Sequence, residues 1–283
     1  MTQPACICCE ATRAVPHLDI LLRCPRCTHV WADEQLSVEQ ARALYGPEYF
    51  HGDEYLDYER EEPALRRNFR RCLRTLLDLA PAGGRLWEVG SAYGYFLDEA
   101  SRHFEVAGCD IAEAATARAR ERFGLDVRCL DYLIHDLGQA RDVICSWDTV
   151  EHLPEPHRFL HKAYLDLAPG GVLGLSTGDI GSSNARLRGA DWRLIHVPTH
   201  LHYFTVRSMR TLLERIGFEM ILVEHPAFWR TADAVAFQLL HQGRSSRRQR
   251  LYSRLKRARL LDFSFPLNSR DLMTVWARKP ARG

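Results

Sequence analysis

Nowhere in the 283 residues is there a run of the about 18–20 uncharged apolar residues that a membrane span needs. The stretch Met1–Cys9 lacks the basic-then-apolar order of a secretory leader, so the sequence reads as cytoplasmic. Internal repeats and low-complexity linkers are also absent. Net charge is nearly so, since 38 Lys+Arg against 36 Asp+Glu give +2. With 46% hydrophobic and 26% charged residues, the disordered, collagenous and disulfide-scaffold classes are excluded. What remains is a folded chain with length enough for one large domain and small attachments.

The charge that is present is local. Arg244–Arg259 holds eight basic residues and no acid, which leaves the rest of the chain at −6. Leu251, Leu255 and Ala258 fall on one helical face of this segment, and Arg247, Arg250, Arg254 and Arg257 spread over the other. The plain reading is a solvated helix docked by its apolar face. The sharper one is contact with a phosphorylated or carrier-linked acceptor, ahead of a membrane surface or RNA.

Nine cysteines in a chain read as cytoplasmic argue for thiols rather than disulfides, and five of them precede residue 28. Cys6-x2-Cys9 and Cys24-x2-Cys27 have the spacing of a zinc ribbon. Two tight turns each present a pair of thiolates, and four sulfurs close a tetrahedron with no open position, so the zinc is structural. Cys8 lies inside the first pair and His29 just beyond the second. Glu10 and Thr28 stand where ribbons often carry the glycine of a left-handed turn.

Hydrophobic periodicity divides the rest. A short helix is expected at Val38–Leu44, followed by the aromatics Tyr45, Tyr49, Phe50, Tyr55 and Tyr58, readable as a surface flap or as a lid. A helix is expected at Ala64–Leu79. From Arg85 strands alternate with helices, the pattern of a parallel, doubly wound α/β sheet, and a last strand spans Asp271–Arg278. The expected organisation is a zinc ribbon over 1–34, a helical and aromatic lid segment over 35–84, and an α/β domain over 85–283 with a helical insertion at about 231–261.

Chemistry gathers at the strand ends. Leu86-Trp87-Glu88-Val89-Gly90-Ser91-Ala92-Tyr93-Gly94 puts an acid at the end of a strand and two glycines in the turn opening a helix, where backbone approaches a ligand closely. Asp110 ends the next strand, where a carboxylate accepts both hydroxyls of a ribose. The turn is E-x-G-x-x-x-G and lacks the third glycine of the dinucleotide fingerprint, which argues against NAD.

These motifs resemble class I S-adenosylmethionine-dependent methyltransferases, whose Rossmann-like sheet has seven strands. Glu88–Gly94 is similar to the family's first motif, Gly108-Cys109-Asp110-Ile111 to the second, Leu130-Asp131-Tyr132 to the third and Ser146–Leu153 to the fourth. The resemblance implies that S-adenosylmethionine is held by Glu88, Gly90, Ala92, Gly94, Asp110, Ile111, Asp131, Tyr132 and Trp147. In it Gly90 and Gly94 line the methionine part, Asp110 takes the ribose, Asp131 meets the adenine amino group and Trp147 sits near the sulfonium. A narrower likeness, carried by Asp148-x-x-Glu151-His152-Leu153-Pro154-Glu155-Pro156, Trp192 and His200-Leu201-His202-Tyr203-Phe204-Thr205, is to the group found in natural-product and polysaccharide biosynthesis. Some of that group carry an N-terminal zinc ribbon.

Methyl transfer to a weakly acidic acceptor needs a base, and histidine suits it. His152 is the first candidate and His202 and His200 follow. The acid-and-histidine cluster from Asp148 also resembles metal-binding clusters of ubiquinone and small-RNA methyltransferases, which makes a divalent ion there a lesser alternative. The leading function is methylation of O, N or C in a small-molecule biosynthetic intermediate. An RNA methyltransferase with a zinc module is the first rival, although the Asn/Asp-Pro-Pro-aromatic sequence of many base-amino methylating enzymes is missing. A non-catalytic cofactor-binding adaptor is the second.

Overall fold

The computed structural model describes residues 5–33, 58–80, 82–241 and 245–281. The helix expected at Val38–Leu44 and four of the five lid aromatics lie outside the described residues.

Three short strands, β1 (Val15–His17), β2 (Leu21–Arg23) and β3 (Val30–Ala32), pair antiparallel next to the cysteine turns. Glu10 (φ 60°) and Thr28 (φ 70°) adopt the left-handed backbone that the two turns require without a glycine to ease it. Helix α1 (Glu62–Leu79) starts two residues ahead of the expected one, with Pro63 in its first turn, where a missing N–H costs nothing.

The chain then runs β4 (Arg85–Val89), α2 (Tyr95–Ala100), β5 (Glu105–Asp110), α3 (Glu113–Phe123), β6 (Asp126–Cys129), β7 (Arg141–Trp147), α4 (Pro156–Asp166) and β8 (Leu167–Gly178). After α5 (Ser183–Arg188) and β9 (His202–Tyr203) come α6 (Val206–Ile216), β10 (Glu219–Glu224), β11 (Phe228–Thr231), α7 (Ala232–Leu240), α8 (Ser246–Arg257), β12 (Ser264–Leu267) and β13 (Leu272–Arg278). The main sheet has seven strands in the order β10-β13-β8-β7-β4-β5-β6.

The expectation of a wholly parallel sheet needs one correction: β13 runs antiparallel to both β8 and β10. The chain enters β13 at the end of the sheet where β8 finishes, since Leu272 pairs with Gly178 and Asp179 N–H donates to Asp271 C=O at 2.8 Å. Strand order reverses between β4 and β7, and the crevice at such a reversal is where open α/β sheets bind ligands.

Alternate residues of each strand feed cores on opposite faces. Leu86, Val143 and Cys145 join Leu76, Phe96 and Trp276 on one face, and Trp87, Ile144, Leu173 and Leu175 join Phe159 and Leu212 on the other. The second core is continuous with Cys6, Cys24, Cys27 and Trp31. The N-terminal module is therefore fused to the domain rather than tethered to it. Strand β3 pairs with β9, Val30 opposite Tyr203 and Trp31 opposite His202, so the small sheet takes its fourth strand from far along the chain.

The insertion hangs on a hairpin of β11 and β12. Buried Asn68 of α1 locks it in place: its Oδ1 accepts from Trp229 N–H at 2.8 Å and its Nδ2 donates to Trp229 C=O at 3.1 Å. The expected docking face of the basic helix is revised. Leu251 is 47% exposed, whereas Tyr252 is buried with its hydroxyl donating to Asp233 at 2.8 Å.

Candidate functional site

The glycine turn after β4 is shaped by backbone contacts. Gly90 N–H and Ser91 N–H both donate to Cys109 C=O, at 2.9 and 3.0 Å, tying the turn to the end of β5. Gly90 has φ +77°, and a Cβ there would stand 2.5 Å from Thr149 Oγ1, so no other residue fits. Gly94 (φ +76°) has a packing reason as well, because a Cβ would meet Leu125 Cδ1 at 2.8 Å and Ala119 Cβ at 3.0 Å.

Two carboxylates flank this turn. Asp110 accepts from Ala92 N–H through Oδ2 at 2.8 Å and from Ala112 N–H through Oδ1 at 2.9 Å, which holds both oxygens at the carboxyl end of β5. Burial pushes its pKa up, while backbone N–H groups pull the other way. Glu88 is 2% exposed, and its Oε2 has no hydrogen-bond partner among the described residues. Burial and then the nearby charge of Asp110 push its pKa well up. A buried orphan oxygen is costly unless something completes it. Together with the Cβ-free cradle at Gly90, it fits an amino- or hydroxyl-bearing ligand such as S-adenosylmethionine. Ile111, 38% exposed, stands beside Asp110, and Tyr58 stacks on Tyr95 at 5.5 Å and meets Tyr93 edge-on at 5.1 Å next to the turn.

Tyr132 is 4% exposed and its hydroxyl donates to Asp166 at 2.7 Å on α4; Asp131 caps the short turn before it, Oδ1 accepting from Leu133 N–H at 2.9 Å. Trp147, at the carboxyl end of β7, lies edge-on to Phe96 (5.1 Å) and Trp276 (5.7 Å) and is 7% exposed.

The histidines separate into two groups. His152 and His200 meet edge-to-face at 4.6 Å, and their ligand atoms lie within 4.8 Å of each other and of a Glu151 carboxylate oxygen. His152 Nδ1 is 2.9 Å from Thr199 C=O and His200 Nδ1 is 2.9 Å from Leu194 C=O. A carbonyl only accepts, so each Nδ1 carries a proton, and in the neutral ring Nε2 then carries the lone pair. That arrangement suits proton abstraction or ligation of a divalent ion. Asp148 stands outside the trio, accepting from Ser176 Oγ at 2.7 Å.

His202 belongs to the joint with the N-terminal module. It is buried, stacked on His29 at 5.3 Å, with Nδ1 3.3 Å from His29 Nε2 and Nε2 3.3 Å from Pro154 C=O. Burial, followed by the charge of His29, lowers its pKa to about 3, far below the working range of a general base.

Cys6, Cys9, Cys24 and Cys27 are brought together, with the Cys6–Cys27 and Cys9–Cys24 sulfurs 3.5 Å apart. Zn–S bonds of about 2.3 Å place the corners of a tetrahedron about 3.8 Å apart, so four thiolates at this spacing fit zinc. Cys8 and His29 form a second group with Cys6.

Sequence reasoning missed Asp271. It is completely buried beside the end of β8 and accepts from Trp192 Nε1 at 2.8 Å, Asn184 Nδ2 at 2.8 Å, Arg193 at 3.2 Å and Ser269 Oγ. Its only signal was a charged residue opening an apolar strand.

A family profile described as a methyltransferase domain matches residues 59–223, more than half of the chain. The chain is 29% identical to a protein of Mycolicibacterium smegmatis described as a probable S-adenosylmethionine-dependent methyltransferase, over 58% of this chain and 59% of that one. It is 27% identical to a ubiquinone biosynthesis O-methyltransferase of Cereibacter sphaeroides, over 62% of this chain and 76% of the other. Among solved structures, magnesium protoporphyrin IX methyltransferase from Synechocystis PCC 6803 superposes with a TM-score of 0.55 at 12% identity, covering 86% of this chain and all of that one. A SAM-dependent methyltransferase from Archaeoglobus fulgidus gives 0.52 at 16% identity over 82% and 97%. These two likenesses speak for the fold.

Proposed function

The chain belongs to the methyltransferase-domain family, and from that premise we propose that it carries a methyl group from S-adenosylmethionine to oxygen, nitrogen or carbon of a small-molecule biosynthetic intermediate. The observation that carries this reading is the pair of carboxylates, Glu88 and Asp110, around the Cβ-free turn at the strand-order reversal. Relatives named as ubiquinone biosynthesis O-methyltransferases support a small-molecule acceptor. When bound, S-adenosylmethionine supplies an electrophilic methyl carbon whose bonding pair returns to sulfur on transfer.

The chain's residues do the rest. Glu88 and Asp110 accept hydrogen bonds from the cofactor, Gly90 and Ala92 let it approach, and Asp131 stands at the third strand. His152 Nε2 takes the acceptor's proton, with His200 beside it. A second reading, favoured by the convergence of Glu151, His152 and His200, puts a divalent ion at that trio in place of a bare base. We assign Cys6, Cys9, Cys24 and Cys27 to a structural zinc ion in an N-terminal module, with the transfer domain at 85–283.

Calorimetry with S-adenosylhomocysteine tests the cofactor assignment. Asp110→Ala removes charge-assisted bonds of about 1.5–3 kcal/mol each, so affinity should fall at least about tenfold. Unchanged affinity would overturn it. Label from methyl-tritiated cofactor should enter the small-molecule fraction of an extract, and label released by ribonuclease would favour the RNA reading.

A further inference from the structure

Between the cysteine module and the end of β8 lies a groove of about 730 Å³ that the reaction described above does not use. Its cations come from three separate elements: Arg23 ends β2, Arg186 lies in α5 and Arg207 opens α6. None of the three has an ion-pair partner among the described residues. The acid in the lining, Asp179, is taken by His225 Nε2 at 2.8 Å and by Gly181 N–H at 2.8 Å. The floor is apolar, formed by buried Val30, Ile180 and Ala185 from the cluster that joins the module to the domain.

We propose that this groove binds the phosphoryl group of the methyl acceptor, which it holds while the rest of that molecule reaches the transfer site. The proposal rests on the methyltransferase reading. Three guanidinium groups without ion-pair partners along one concavity raise the local potential and favour an anion there. A phosphoryl group, with charge near −2 and three acceptor oxygens, matches several guanidinium forks, whereas a single carboxylate is filled by one. Helix α8 carries more cations, but Lys256, which lines a second concavity beside α1, is already paired with Asp233 at 2.9 Å.

Position favours the acceptor over an unrelated ligand. Asp179 lies three residues beyond Ser176, whose hydroxyl holds Asp148 at the carboxyl end of β7. At roughly 3.3 Å per residue the groove begins about 10 Å from the strand ends that surround the transfer site, the span of a small molecule.

The test uses the intact chain with its metal. Titrated with inorganic pyrophosphate at low salt, it should show one saturable site, and Arg186→Ala/Arg207→Ala should weaken that site at least about tenfold. Binding of S-adenosylhomocysteine by the double variant should stay within about twofold of native, which also reports that it is folded. Arg210→Ala, on the same helix as Arg207 but beside Glu214, should change neither. Once the acceptor is in hand, the double variant should raise KM about tenfold or more with kcat within about threefold. Absence of pyrophosphate binding, or binding abolished by Arg247→Ala/Arg250→Ala in α8 but not by the groove variants, would overturn the proposal. Native protein that fails to bind S-adenosylhomocysteine would instead sink the methyltransferase reading and leave the groove's anion binding to be judged by the pyrophosphate arm.

Discussion

His152→Ala is expected to lower turnover by about 10²–10⁴-fold, the range for loss of a general base, while affinity for S-adenosylhomocysteine stays near native. The imidazole is held by Thr199 C=O at Nδ1 and faced by His200, an arrangement that fixes which nitrogen accepts a proton. Turnover is read as the rate at which methyl tritium enters the small-molecule fraction. Chelator, with zinc content followed in parallel, separates the two readings of the trio: activity lost while zinc stays bound and restored by added divalent ion supports ligation, and activity resistant to chelator supports the bare base. Full turnover in His152→Ala would make the residue structural. His202→Ala should behave differently, lowering stability more than rate in proportion to the packing lost between His29 and Pro154.

Cys24→Ser should release the zinc and damage both stability and transfer. An ion present at a thousand times its Kd stabilises the native state by about 4.1 kcal/mol, so its loss should lower Tm by about 8–16 °C. The cofactor pocket at Glu88, Gly90 and Asp110 should stay nearly intact, since a ribbon folds around its own metal. The trio is tied to the module more directly. Leu201 and His202 N–H donate to Glu151 C=O at 2.9 and 3.0 Å, and β9, which carries His202, is held by β3 next to the second cysteine turn. Loosening the module loosens the segment that positions Glu151 and His200. Mass spectrometry of the native protein gives the metal count. A variant without zinc that transfers methyl groups at the native rate would show that the joint plays no part in positioning the trio.

Much of the fold was legible because it rests on local pattern. The period-two strands from Arg85 to Trp147, the glycines at 90 and 94 and the acid at 110 each announce their structure within a few residues. What was illegible depends on distant partners. A two-residue strand at His202–Tyr203 has no periodicity to detect, and its role comes from Val30 and Trp31. The packing of the Trp147 ring against Phe96 and Trp276 is likewise set by residues far along the chain. Tyr132 follows a motif acid, and Asp166 on α4 takes its hydroxyl. The reversed direction of β13 was hidden for the same reason, since direction is set by where the chain re-enters the sheet and not by the strand's own residues.

The β3–β9 pairing also sets an order of events during synthesis. The cysteine module leaves the ribosome before the strand that completes its sheet, which follows about 170 residues later. At about 5–20 residues per second that interval is roughly 9–34 s. For that time the outer edge of β3 has no strand beside it, and the four thiols of the proposed zinc site are open to an ion or an oxidant.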